Sequence, residues 1–281
     1  MEKKKRKIDE VMEELQIGVK AVFETENYRK WLSTLAHFHQ YSLNNCLLIA
    51  MQRPDAERVA SVRTWNKLGR HVKSGEHGIR ILVPTPVKIS KEDDDSLEER
   101  KLLRFKVGHV FDLSQTEGAP LPELGISELT GDVKGYEKFV ATAVRISPVL
   151  IRTDEIKGSA KGYYSPAKKE IVLREGMSEM QTAKTLLHEL VHAFLHNRDR
   201  LKEDGNKDRQ TKEVEAESCA YVLMKALLGL DSKDYSFSYI AGWSSGKEIP
   251  ELMASLKTIH DTSAEIINMF NEQMKEGEGC A

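Results

Sequence analysis

Cysteine is scarce: three residues in 281, Cys46, Cys219 and Cys280, spaced for neither a disulfide framework nor a thiolate metal site. So few and so scattered, they fit a reducing compartment, and a cytoplasmic location is expected. Long hydrophobic runs are also missing. The longest, near Asn45 to Met51, falls far short of the ~20 apolar residues that span a bilayer, so no transmembrane helix is expected. The basic stretch Lys3-Lys4-Lys5-Arg6-Lys7 leads into Asp9-Glu10 and not into an apolar segment, so no signal peptide is expected. With only 8 prolines, 40% hydrophobic and 31% charged residues, the composition excludes disordered and fibrous classes. What remains is a globular chain with room for two domains, each burying its own core.

A strong net charge is absent too, at -2 overall, but the average conceals an asymmetry. Residues 1 to 117 carry 21 basic and 18 acidic groups, or +3, whereas residues 118 to 281 carry 21 and 26, or -5. Residues 53 to 91 alone hold nine basic groups against three acidic ones. That sign difference points to anion binding by the first half, although a solvated surface also accounts for a modest imbalance.

Helical periodicity covers residues 8 to 25, Asn27 to Phe38 and Ser42 to Gln52. Between Arg63 and Pro86, Gly69, Gly75 and Gly78 punctuate short alternating runs, which predicts turns and antiparallel strands. The segment Ile79 to Pro84 is the clearest strand, Lys91 to Arg100 an acidic loop, and Phe105 to Phe111 the returning strand. Residues 118 to 131, with two prolines and three glycines, form the expected linker between domains at 1–117 and 132–281. After it come a helix near Tyr136 to Val144, a strand near Val149 to Arg152, a hairpin over Gly162 to Leu173, and helices to Met274. The fold class is therefore α+β.

The strongest chemical pattern is His188-Glu189-Leu190-Val191-His192, inside a helical stretch. Histidines at i and i+4 sit one turn apart on one face, so both can reach one zinc ion, and Glu189 is rotated toward the place of a general base. A catalytic zinc takes a third protein ligand. His196 is too far, about 12 Å along the helix from His188 at 1.5 Å per residue. Glu213 and Glu217 lie downstream, again at i and i+4, with Ala216 and Ala220 allowing close helix packing. Glu213 is the expected ligand and Glu217 the partner of a ligand histidine's free N–H. Glu215 is expected to point to solvent. An acidic solvated helix face is the alternative for these glutamates.

HELVH followed by Glu-x-x-Ala-Glu-x-x-Ala resembles the zinc peptidase-like domains of the ImmA/IrrE class. It resembles still more the C-terminal domain of ArdC-type antirestriction proteins, because Glu217 stands where the former class usually has Asn. The stretch Gly162 to Arg174 fits the same resemblance, which implies an edge strand for a peptide substrate. The segment Tyr239 to Trp243 and the helix after it also fit, so the resemblance covers roughly residues 132 to 274. Tyr163, Tyr239 and His260 are candidates to stabilise an oxyanion.

Residues 41 to 86 carry a second resemblance, through Tyr41-Ser42, Asn44-Asn45, Gln52, Trp65, Gly69-Arg70, Val72-Lys73, Gly75-Glu76, Gly78-Ile79 and Pro84. They are similar to the N-terminal domain of ArdC-type proteins, as are Val110-Phe111-Asp112 and Gln115 to Gly118. That resemblance implies a module for single-stranded DNA. Such binding needs cations for phosphates and rings for bases. Arg63, Lys67, Arg70, Lys73 and Arg80 are the candidate cations; Tyr41 and Trp65 are the candidate rings, Trp65 serving equally well as core under the hairpin. His71 and His77 are read as loop residues. Together the resemblances imply antirestriction or DNA protection on a conjugative mobile element. Two alternatives stay open: a non-proteolytic DNA-binding protein with a structural or regulatory metal, and a protease acting on DNA-bound proteins.

Overall fold

The structure, a computed structural model, describes residues 7–88, 101–121, 133–195, 207–230, 237 and 240–278. It opens on three helices, α1 (Lys7–Val22), α2 (Thr25–Phe38) and α3 (Leu43–Gln52). There follow β1 (Val59–Ala60), α4 (Val62–Lys67), β2 (Arg70–Val72), β3 (Ile79–Lys88), β4 (Lys101–Asp112) and β5 (Thr116–Gly118). The strands and the helices alternate again in the second half, with α5 (Val133–Ile146), β6 (Leu150–Asp154), β7 (Gly162–Ser165), β8 (Glu170–Arg174) and α6 (Glu179–Leu195). Three helices complete it: α7 (Arg209–Leu228), α8 (Ile240–Ser244) and α9 (Ile249–Glu278). The α+β class holds. The acidic stretch 91–100 lies outside the described residues, as do residues 122–131 of the expected linker, while Gly118 at its start pairs with Arg70 in the β2–β5 ladder.

One local expectation changes. Arg63, Trp65 and Lys67 stand on a short helix, not on a strand. The Ser61 side chain accepts a hydrogen bond from the Thr64 N–H and so caps α4, and a local cap decides a segment this short.

The larger change concerns the cores. Separate cores were expected, yet one cluster of buried side chains runs through both halves. Helix α2 packs on α7, with Tyr28 and Ser218 hydroxyls 2.7 Å apart in the interior. Phe23 meets Trp243 at 5.6 Å between ring centres, and Tyr28 meets Phe237 at 5.4 Å. The Nε2 of His260 lies 2.8 Å from the Tyr41 carbonyl oxygen. Tyr28, Trp31, Leu32 and Leu35 are fully buried, and exposing large apolar side chains costs about 1.5–3 kcal/mol each. Residues 1 to 117 therefore depend on the second half for their core.

The second half places a mixed sheet, ordered β6-β8-β7, against α6. Strand β6 runs parallel to β8 and β7 antiparallel to it, which leaves β7 as one of the two edges and the one that meets α6 at Gly162. Gly162 permits the close approach of β7 to α6. A Cβ there would stand 2.7 Å from Thr185 Cγ2 and 3.0 Å from the Val172 carbonyl oxygen.

Candidate metal centre

Helix α6 brings His188 and His192 to one face, their Nε2 atoms 3.1 Å apart and their rings nearly perpendicular. Helix α7 crosses beside it, and the Glu213 Oε2 lies 3.6 Å from each of those two nitrogens. A tetrahedral ion with bonds of ~2.1 Å separates neighbouring ligand atoms by about 3.4 Å, so these three spacings fit one ion. Among the described residues, His188, His192 and Glu213 form the group able to hold a metal. Glu217 stands one turn on, its Oε2 3.2 Å from His188 Nδ1, the place for a group that orients a ligand imidazole.

The electrostatics agree with a cation site. Burial pulls the His188 pKa down, but the carboxylates of Glu213 and Glu217 outweigh it and hold the imidazole at about 9. Glu213 is held well below the usual carboxylate range by His188 and then His192. Glu189 is 8% exposed; burial pushes its pKa up against the pull of the two histidines. The backbone of Tyr164 on β7 opposes that rise more weakly than the two histidines do.

These groups line a cleft of about 910 Å³, walled by Gly162 to Tyr164 and Pro166 on one side and by Lys207, Arg209 and Lys212 on the other. Sequence patterning did not single out those cations. Asp208 sets the start of that wall, accepting from the Thr211 N–H at 2.8 Å as the N-cap of α7. Tyr163 borders the cleft and is 40% exposed. His260 is excluded as an oxyanion group, because it is buried with its ring nitrogens against Asp261 and the Tyr41 carbonyl. Tyr239 lies outside the described residues.

Glu215 also departs from expectation. It is fully buried, and both its oxygens accept from Lys207 Nζ at 3.0 Å. The same ammonium donates to Thr258 at 3.1 Å, which links the approach to α7 with α9. Helix α7 is packed by α2, α6 and α9, so pointing away from the metal is not pointing to water.

The candidate DNA residues divide sharply. Arg63 and Lys67 are exposed on α4. Arg70 spends its guanidinium on the Thr116 hydroxyl and carbonyl and on the Gly118 and Ala119 carbonyls, fastening β2 to β5. Lys73 donates to the Ser114 carbonyl at 2.9 Å. Arg80 forms a bidentate pair with Glu14 at 3.2 and 2.8 Å, holding β3 to α1. Tyr41 is half-buried, edge-on to Phe38, its hydroxyl 3.4 Å from the Val59 carbonyl. Trp65 is corrected as a stacking ring. It is 2% exposed and its Nε1 donates to the Phe111 carbonyl at 2.8 Å, so no base can reach its face. Trp65→Ala should cost about 3–5 kcal/mol of stability in denaturant unfolding, the range for emptying a buried aromatic site. A loss of about 0.5 kcal/mol or less, the range for surface substitutions, would show the ring is not core.

Comparison with known proteins bears out the resemblance in both halves. Residues 2–111 match the N-terminal domain of anti-restriction factor ArdC, and residues 146–228 match the IrrE N-terminal-like domain. The second match contains His188, His192, Glu213 and Glu217. An uncharacterized Bacillus anthracis protein, pXO2-81, is 26% identical over 97% of this chain, which spans about half (52%) of that relative's length. Two crystal structures of the antirestriction protein ArdC from the R388 plasmid share the fold. The metal-free one has a TM-score of 0.54 and 23% identity over 83% of this chain and 84% of its own. The Mn(II)-bound one has a TM-score of 0.56 and 19% identity over 95% of this chain and 98% of its own.

Proposed function

We propose that this chain, an ArdC-type N-terminal domain joined to an IrrE N-terminal-like domain, binds single-stranded DNA and carries a zinc-dependent peptidase centre. Its biological setting is antirestriction, the protection of incoming DNA on a conjugative mobile element. The observation that carries the peptidase reading is Glu189, buried next to His188 and lining one cleft with His192, Glu213 and Tyr164 of β7. A structural metal site needs ligands; it has no use for a buried carboxylate beside them, open to a substrate cleft. The R388 ArdC protein, which shares this fold, is known with Mn(II) bound, which supports a divalent ion for this chain. Two imidazoles and one carboxylate are a donor set that zinc accepts.

The metal, when bound, supplies Lewis acidity to a water and to the scissile carbonyl. The rest is done by the chain. The free edge of β7 can pair with an extended peptide and present its carbonyl to the cleft. Glu189 takes a proton from the attacking water and passes it to the leaving amine; a carboxyl raised by burial suits both halves of that transfer. Glu189 shares the cleft with Tyr164 of that strand, and Glu217 orients His188.

For DNA, the reading rests on the exposed cations Arg63 and Lys67 and on the match of residues 2–111. The full chain, titrated with single- and double-stranded oligonucleotides at several salt concentrations, should prefer the single strand. Replacing Arg63 and Lys67 with Gln should lower the logarithmic salt slope by about 0.7 per cation. Arg70→Gln should instead lower thermal stability, because its donors hold the chain's own carbonyls. A wild-type chain indifferent to single strands sinks the DNA reading.

A further inference from the structure

With Trp65 buried, a base needs another ring, and the first half exposes one. Phe105 is 51% exposed, the most exposed Phe, Tyr or Trp among the described residues. It lies on β4 opposite Pro84, between Arg104 opposite Thr85 and Lys106 opposite Val83. Successive side chains on a strand alternate faces, so the ring stands on one face of the β3–β4 ribbon and both cations on the other. Both cations are exposed.

The ribbon is open at this level. Strand β1 joins β4 only at Phe111 and Asp112, so the β4 edge beside Phe105 has no neighbouring strand among the described residues. On β3, Pro84 and Pro86 remove two N–H donors, which disfavours addition of a protein strand to that edge. The ligand that suits an exposed ring flanked by cations has flat apolar faces and a regular line of negative charge. In a single strand the bases and the phosphates lie on opposite sides, as the ring and the cations do here.

We infer that the β3–β4 ribbon is a stacking platform for single-stranded DNA, with a base on Phe105 and the phosphates on Arg104 and Lys106 across the β4 edge. This rests on the single-strand reading above and places its ring. Neither the HELVH motif nor the cationic segment 53–91 contains these residues.

The test is fluorescence anisotropy of the full chain with an oligothymidine and with an abasic strand of equal length. Phe105→Ala should weaken oligothymidine binding about tenfold, the scale of one lost stacked base, and leave the abasic strand unaffected. Phe105→Trp should restore the affinity. Arg104→Gln with Lys106→Gln should weaken both strands and lower the salt slope by about 0.7 per cation. Wild-type binding with Phe105→Ala unchanged, or with both strands weakened alike, overturns the platform and leaves the single-strand reading standing. A wild-type chain that binds neither strand overturns both.

Discussion

His188→Ala and His192→Ala should each yield a purified protein without metal, against about one ion per chain in the wild type. Two Nε2 atoms 3.1 Å apart and a carboxylate oxygen 3.6 Å from each make a site in which every member counts. Elemental analysis is the measurement, and it also names the ion. Glu213→Ala should empty the site nearly as well. Glu217→Ala should weaken it only ~10–100-fold, because Glu217 reaches the far nitrogen of His188 and not the ion. The reverse order would exchange the roles of the two glutamates. Metal uptake should also depend on pH. The Glu213 and Glu217 carboxylates raise the His188 pKa against the pull of burial, so an incoming ion competes with a proton there. Affinity should therefore rise with pH through neutrality, with proton release visible as a buffer-dependent binding enthalpy. Full metal retention in both histidine variants would remove the site from consideration.

Glu189→Gln should keep metal, fold and DNA affinity, yet lower cleavage of an unstructured protein probe by at least ~10²-fold. The amide preserves shape and cannot take a proton from water. It separates two ways in which the second half could protect DNA. If protection of transferred DNA survives at the wild-type level in Glu189→Gln, the cleft acts by binding, and proteolysis is not the protective activity. If protection is lost while metal content and oligonucleotide affinity stay, cleavage is what protects. Because one core joins the two halves, these comparisons belong in the full chain.

The grouping of His188, His192, Glu213 and Glu217 was legible because its signal is local. Histidines at i and i+4 share a helix face by the 3.6-residue turn alone, and Glu213 and Glu217 do so for the same reason. Period-two alternation likewise located β3 and β4. Glu215 and Trp65 were not legible in the same way. An amphipathic reading assigns each helix one wet face, but α7 is enclosed by α2, α6 and α9, so Glu215 is buried against Lys207. Trp65 follows a serine cap into a helix under the β1–β4 corner, and its indole closes on the Phe111 carbonyl.

By itself the sequence determined the α+β class from the order of its periodic segments, the two resemblances from matches spread along each half, and the pairing of His188 with His192 and of Glu213 with Glu217 from spacing along single helices. Tertiary structure alone decided that the two halves share a core. It also decided that Arg70, Lys73 and Arg80 serve the chain's own carbonyls and Glu14, and that Phe105 faces solvent. A side chain's spacing is set by the backbone's turn or pleat, whereas its freedom to meet a ligand depends on which distant segments reach it first. In this chain the carbonyls of β5 reach Arg70, and among the described residues none covers Phe105 by more than half.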